Sequence, residues 1–149
     1  MKKIFILIML LTYSCGYQPI YLNKNLKNYE FSNITLEGDK EINGKIISSI
    51  AIKENKLDKN LNELFVKSNL ITTETSKDSK GKVLSYRSTI YIDFSIRKKE
   101  KVIKNKQFSK DVSYNNKENK FELEEYKSQL IANLINKSIE EIILFLNLE

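Results

Sequence analysis

Leu84-Ser-Tyr-Arg-Ser-Thr-Ile-Tyr-Ile-Asp-Phe-Ser-Ile-Arg97 alternates almost without interruption. Leu84, Tyr86, Ile90, Ile92, Phe94 and Ile96 share one parity, while Ser85, Arg87, Thr89, Tyr91, Asp93, Ser95 and Arg97 share the other. Successive side chains of a strand point to opposite faces. The stretch therefore spells a long strand with one face buried and the other wet or against a partner. At about 3.3 Å per residue it spans about 46 Å.

An element of similar length has to cover the apolar face, and residues 121–148 supply it. Leu123, Tyr126, Leu130, Ile131, Leu134, Ile135, Ile139, Ile142, Ile143 and Leu146 form a continuous stripe at i, i+3, i+4 spacing. Asn119, with Glu122 three residues on, resembles a capping box, and Glu124 and Glu125 suit the early turns of the helix dipole. At about 1.5 Å per residue the helix spans about 42 Å. The two lengths match, so the helix is expected to lie along the sheet.

Outward from this pair, residues 29–36 are rich in β-formers and end at Glu37-Gly38-Asp39. From Glu41 to about residue 53, Ile42, Ile46, Ile47 and Ile50 keep helical spacing. Residues 61–75 read as a strand with Leu64, Val66 and Leu70 on one face and Phe65 and Ile71 on the other. Residues 76–81 are a turn by composition, and residues 98–101 turn the chain into a fourth strand carrying Val102, Phe108, Val112 and Tyr114. The expected order is β-α-β-β-β-α. That is an α+β two-layer sandwich, with a four-stranded, mostly antiparallel sheet packed by two helices, in one domain over residues 28–149.

Composition bounds the chemistry. The chain has 149 residues, 41% of them hydrophobic, with one cysteine and no histidine. Without histidine there is no Ser-His-Asp or Cys-His nucleophile, no imidazole base and no His-containing zinc site. A lone cysteine forbids an internal disulfide and a multi-thiolate metal site. Glu124-Glu125 and Glu140-Glu141 are neighbours on a helix that do not converge on one point. Asp93 stands alone on the polar parity of its strand, Asp111 is isolated, and no acid pairs with a base. Tyr86, Tyr91, Tyr114 and Tyr126 read as packing or interface residues. The chain is expected not to be an enzyme, and neither a metal nor a dissociable cofactor is expected.

The formal charge of +6 needs a discount. Lys (23), Ile (20) and Asn (16) make up 59 residues, and all three have AT-rich codons, so the total is weak evidence for nucleic acid. Clustering is stronger evidence. From Arg97 to Lys110 lie Arg97, Lys98, Lys99, Lys101, Lys104, Lys106 and Lys110 against Glu100, a local 7 − 1 = +6. Such a hairpin suits phosphates or other anions, although lysines also guard strand edges from aggregation. Lys104, Lys106 and Lys110 share parity with Val102, Phe108 and Val112. Either a bulge shifts that register, or part of the face projects past the helices.

The N-terminus is the most motif-like stretch. Met1-Lys2-Lys3 is a basic start, Ile4 to Leu11 is an apolar run too short to span a bilayer, and Thr12-Tyr13-Ser14 leads into Cys15-Gly16. This resembles a bacterial lipoprotein signal: residues 1–14 cleaved between Ser14 and Cys15, and Cys15 then carrying covalent acyl and diacylglyceryl lipid. Thr12 stands where an aliphatic residue is usual, and Ser14 fits the small position before the cut. An ordinary secretory signal or a buried strand are the alternatives. Several acyl chains make a stable membrane anchor. Residues 15–27, with Pro19, read as a tether, and loss of Lys2 and Lys3 lowers the mature charge to 23 − 19 = +4.

Cys15-Gly16-Tyr17-Gln18-Pro19-Ile20-Tyr21 resembles the opening of alphaproteobacterial members of the LptE family of lipopolysaccharide-assembly lipoproteins. The alternating strand and basic turn at 84–101, and Val112-Ser113-Tyr114-Asn115 leading into the long helix, fit the family's central hairpin and closing segment. The resemblance implies an outer-membrane lipoprotein that plugs the lumen of an LptD-like β-barrel, helps it assemble and assists delivery of lipopolysaccharide to the outer leaflet. Its partners would be that barrel, lipopolysaccharide and the membrane through its anchor, with no nucleic acid. Charge clustering nominates Arg97, Lys98, Lys99 and Lys101 for anion contact. An auxiliary lipoprotein of a lipid transporter, or an anchored hydrolase working with carboxylates, are the competing readings.

Overall fold

A computed structural model describes residues 29–148. The expectations for the signal at 1–14, Cys15, and the tether at 15–27 lie outside the described residues. The elements are β1 (Glu30–Phe31), β2 (Asn33–Gly38), α1 (Lys40–Ile50), β3 (Lys53–Glu54), β4 (Glu63–Lys77), β5 (Val83–Lys98), β6 (Lys101–Asn115) and α2 (Lys120–Asn147). The four-stranded sheet runs β2-β4-β5-β6, with β2 parallel to β4 and the other pairs antiparallel. Both helices pack on one face. The α+β two-layer sandwich expected from the sequence is the observed fold.

The N-terminal strand departs from the expected single run over residues 29–36. The first strand is broken at Ser32, and β1 pairs in parallel with the short β3 to form a separate two-stranded sheet. Ser32 breaks the run by turning its own backbone N–H to Asn62 O at 2.8 Å.

The turn from β2 into α1 is specified residue by residue. Gly38 has φ +83, and a Cβ there would stand 1.9 Å from Ser68 O, so only glycine fits. Asp39 caps α1 through Oδ1, which accepts from the backbone N–H groups of Glu41 (2.9 Å) and Ile42 (3.0 Å). Buried Ser68 donates its hydroxyl to Asp39 O at 3.1 Å, which ties the cap to β4. At the other long helix, Asn119 Oδ1 accepts from Phe121 N, but Glu122 reaches the Asn119 side-chain amide and not its backbone N–H. Only half of the expected capping box forms.

The core lies between the helices and the sheet. Ile90, Ile92 and Phe94 of β5, Leu64 and Val66 of β4, Phe108 of β6, Ile42, Ile46 and Ile50 of α1, and Leu134, Ile135, Ile139 and Ile142 of α2 are buried. Phe145, outside the apolar stripe expected for the last helix, completes it with edge-on contacts to Phe94 (6.2 Å) and Phe108 (5.9 Å). Towards the β4–β5 turn the core thins. Leu84 keeps the apolar parity yet is 47% exposed, because α1 starts level with Ser68 and does not reach that end. There Tyr114 stacks on Tyr86 and meets Tyr126 edge-on, and the buried Ser88 hydroxyl lies between Thr72 Oγ1 (2.8 Å) and Tyr114 OH (3.2 Å).

Candidate functional site: the bare sheet face and the basic end

Because both helices lie on the Ile90–Ile92–Phe94 side, the opposite parity is left bare among the described residues. The register lines up Phe65, Ser95 and Asn105 across three strands, then Lys67, Asp93 and Gln107, then Asn69, Tyr91 and Ser109. Further along, Thr89 and Asp111 meet, then Arg87 and Ser113. The face is thus hydroxyl, amide and charge, with Phe65, Ile71 and Tyr91 as its large apolar groups. Four of its charges are paired: Lys67 Nζ is 3.7 Å from Glu37 Oε2, and Arg87 Nε is 3.7 Å from Asp111 Oδ2. Asp111, isolated in sequence, has a cross-strand partner. Asp93 lies beside Lys67 and Gln107 in register, with no second acid opposite it.

The four residues nominated for anion contact do share one end, but not one environment. Lys98 and Lys101 pair across the β5–β6 turn and are exposed, as is Lys99 between them. Arg97 turns to the bare face. Its guanidinium carbon is 4.4 Å from the Phe65 ring centroid, and its Nε donates to Ser95 Oγ at 3.4 Å. Its planar edge stays available for an anion, while Phe65 fixes its position.

The turn itself is unusual. Lys99 and Glu100 have φ 47 and 67, a conformation that two-residue hairpins take but usually fill with Asn and Gly. Two non-glycine residues here carry a cost of order 1 kcal/mol each. In exchange the tip carries Lys98, Lys99 and Lys101.

The lysines of β6 resolve the parity conflict in a way sequence could not. A bulge does interrupt the ladder, between Ile96 and Arg97, so that Arg97 faces Val102 and Ile96 faces Lys104. It moves Val102 to the bare face but leaves Lys104, Lys106 and Lys110 on the helix side. They are not stranded there. Lys104 Nζ donates to the carbonyls of Phe145 (2.7 Å) and Leu148, the unsatisfied end of α2, which has no basic residue in its own last turn. Lys110 is ion-paired with Glu141, and Lys106 sits 5.0 Å over the Phe108 ring. Lys104 and Lys110 hold α2 to the edge strand, while Lys106 stays exposed over a ring of its own strand.

Tyr29 enters the fold at the same end, donating its hydroxyl to Asn147 Oδ1 at 2.9 Å. Partial burial raises its pKa above the usual phenol value, so it remains a neutral donor. At the far end, Lys77 is also held above its usual value by its hydrogen bond to Glu74 and the attraction of that carboxylate. Among the described residues no group of three His, Cys, Asp or Glu could hold a metal ion, and no helix is long and apolar enough to cross a membrane.

No protein-family model matches the chain, and no curated protein matches it by sequence. Solved structures do match in fold. The chain is similar to rare lipoprotein B from Shewanella oneidensis, with a TM-score of 0.59 and 12% identity over 75% of this chain and 91% of that one. It is similar to a minor lipoprotein from Acinetobacter baumannii, with a TM-score of 0.52 and 11% identity over 75% and 87%. An uncharacterized lipoprotein B from Nitrosomonas europaea matches with a TM-score of 0.52 and 9% identity over 84% and 88%. At such identities the likeness is one of fold.

Proposed function

We propose that the chain is an outer-membrane lipoprotein of the LptE type, anchored through acylated Cys15. It sits in the lumen of an LptD-like β-barrel and helps that barrel assemble and deliver lipopolysaccharide. The observation that carries this reading is the agreement of two independent signals. The N-terminal Cys15-Gly16-Tyr17-Gln18-Pro19-Ile20-Tyr21 has the form of a lipoprotein opening. The domain behind it shares its fold with three bacterial lipoproteins over most of their lengths.

The surface supports the assignment in kind. A sheet face of hydroxyls and amides, bare among the described residues, suits a hydrated barrel wall lined with polar groups. The tip lysines and the Phe65-braced Arg97 suit the phosphates of lipid A. In this role the chain binds and shapes its partner and carries out no reaction. The second reading, an auxiliary lipoprotein of a lipid transporter, keeps the same anchor and fold and exchanges the barrel for a transporter.

Mild-detergent purification of the acylated chain from its native envelope separates the two. Recovery of an LptD-like barrel supports the first reading. Recovery of an inner-membrane transporter instead overturns it in favour of the second. Loss of labelled-palmitate uptake in Cys15→Ala tests the anchor, and lipopolysaccharide binding by a chain with Arg97, Lys98, Lys99 and Lys101 all changed to serine tests the anion site.

A further inference from the structure

The end of the molecule that bears the basic turn also gathers apolar side chains that are exposed among the described residues. Val102 and Ile103, directly after the turn, are 47% and 54% exposed, and Leu148, just past α2, is 65% exposed. Lys98, Lys101, Val102 and Ile103 line one shallow hollow. The bulge is the cause: it inserts Ile103 between the two ladder pairs Arg97–Val102 and Ile96–Lys104, so this residue has no cross-strand partner. Ile103 in the bulge and Val102 at the end of the bare face, beside Lys98 and Lys101, form an amphipathic surface and not a core fragment.

The route of the chain says what meets that surface. Residue 29 is the first described residue, and its hydroxyl is bound to Asn147 in the last turn of α2. In the anchored form the segment from Cys15 to residue 28 therefore joins the domain at this end and not at the β4–β5 end. From Arg97 to Lys104 the charges are Arg97, Lys98, Lys99, Lys101 and Lys104 against Glu100, a local 5 − 1 = +4. Lys104 is occupied by the helix carbonyls, and the turn lysines remain free.

We propose that this end is a membrane-docking surface. Val102, Ile103 and Leu148 seat at the headgroup boundary of a bilayer containing anionic lipid, and Lys98, Lys99 and Lys101 contact its phosphates. The domain then stands end-on to the membrane with the long axis of its sheet upright. Each turn lysine strengthens attachment to an anionic surface by about fivefold. The apolar residues add an affinity that salt does not screen. This rests on the anchored state in the reading above but not on the barrel partner.

The chain has no tryptophan, so a single introduced one reports alone. Acylated full-length chain carrying Ile103→Trp, and separately Phe121→Trp at the opposite end of α2, is reconstituted into phosphatidylcholine vesicles. These vesicles contain a quarter phosphatidylglycerol and dibrominated acyl chains. Docking predicts a blue-shifted Ile103→Trp emission quenched several-fold more strongly than that of Phe121→Trp, and weaker quenching when phosphatidylglycerol is replaced by phosphatidylcholine. Equal quenching at both ends, no quenching at Ile103→Trp, or quenching indifferent to phosphatidylglycerol overturns it. Val102→Trp repeats the measurement at the adjacent position should Ile103→Trp fail to fold. The vesicles contain no barrel, so a failed barrel purification leaves this result standing, and the reverse holds too.

Discussion

Lys104, on the edge strand, donates its ammonium to the carbonyl of Phe145 at 2.7 Å in the last turn of the long helix. The two are 41 residues apart, and the contact does three things. It satisfies a helix end that lacks its own basic residue. It places the lysine 4.6 Å from the centroid of the Phe145 ring, whose other side is core. It also converts a lysine on the buried parity into a clamp between layers. Lys104→Met, which keeps the apolar stem, is expected to lose about 1 kcal/mol of stability. Lys104→Arg should lose much less. Urea unfolding midpoints check both, and the gap should narrow at high salt as screening weakens the charge on the helix end.

Gly38 and Gly44 should respond to alanine in opposite directions. At Gly38 the methyl would enter the space of Ser68 O, at a positive φ that alanine resists, and Gly38→Ala is expected to lose at least about 2 kcal/mol. At Gly44, exposed within α1, nothing lies within 4 Å, and Gly44→Ala should gain about 0.5–1 kcal/mol in helix propensity. Thermal unfolding of the two variants side by side gives the comparison.

The basic turn gives a prediction in which stability and binding rise together. Glu100 has φ 67 and is the one acid among the turn charges. Glu100→Gly should relieve about 1 kcal/mol of backbone strain while raising the tip charge by one unit. Unfolding measurements should show the gain, and binding to lipopolysaccharide should tighten. A stabilised variant with weaker binding would show that the acid takes part in recognition.

Away from the basic end, Tyr114→Phe removes the hydroxyl that meets buried Ser88, at 3.2 Å, and leaves the ring stack on Tyr86 in place. The expected loss is about 1 kcal/mol. Ser88 keeps Thr72 as a partner at 2.8 Å, which limits the damage.

Sequence patterning carried most of this fold for a physical reason. Parity along residues 84–97 and the i, i+3, i+4 stripe of the last helix record burial directly, and burial decided both elements. What it could not record was contact between distant elements. Nothing near Lys104 announces that its partner is Phe145, and nothing near Asp111 points to Arg87. The Ser32 break, the inserted Ile103 and the exposure of Leu84 depend on where a neighbouring element starts or stops, which a single strand's own residues do not encode. The four nominated residues share one end of the sheet but not one environment. Arg97 belongs to the bare face against Phe65, and the three lysines belong to the turn.

In the proposed barrel-bound state the bare face meets the barrel wall, and Tyr91, 39% exposed, lies near the middle of that face. A photo-crosslinking phenylalanine analogue at Tyr91, in the acylated chain in its native envelope, should give one major adduct with an LptD-like barrel. The same group at Leu144, on the long helix and 63% exposed, marks the opposite layer. A Tyr91 adduct with an inner-membrane transporter, or no adduct with any barrel while Leu144 crosslinks freely, would contradict the account.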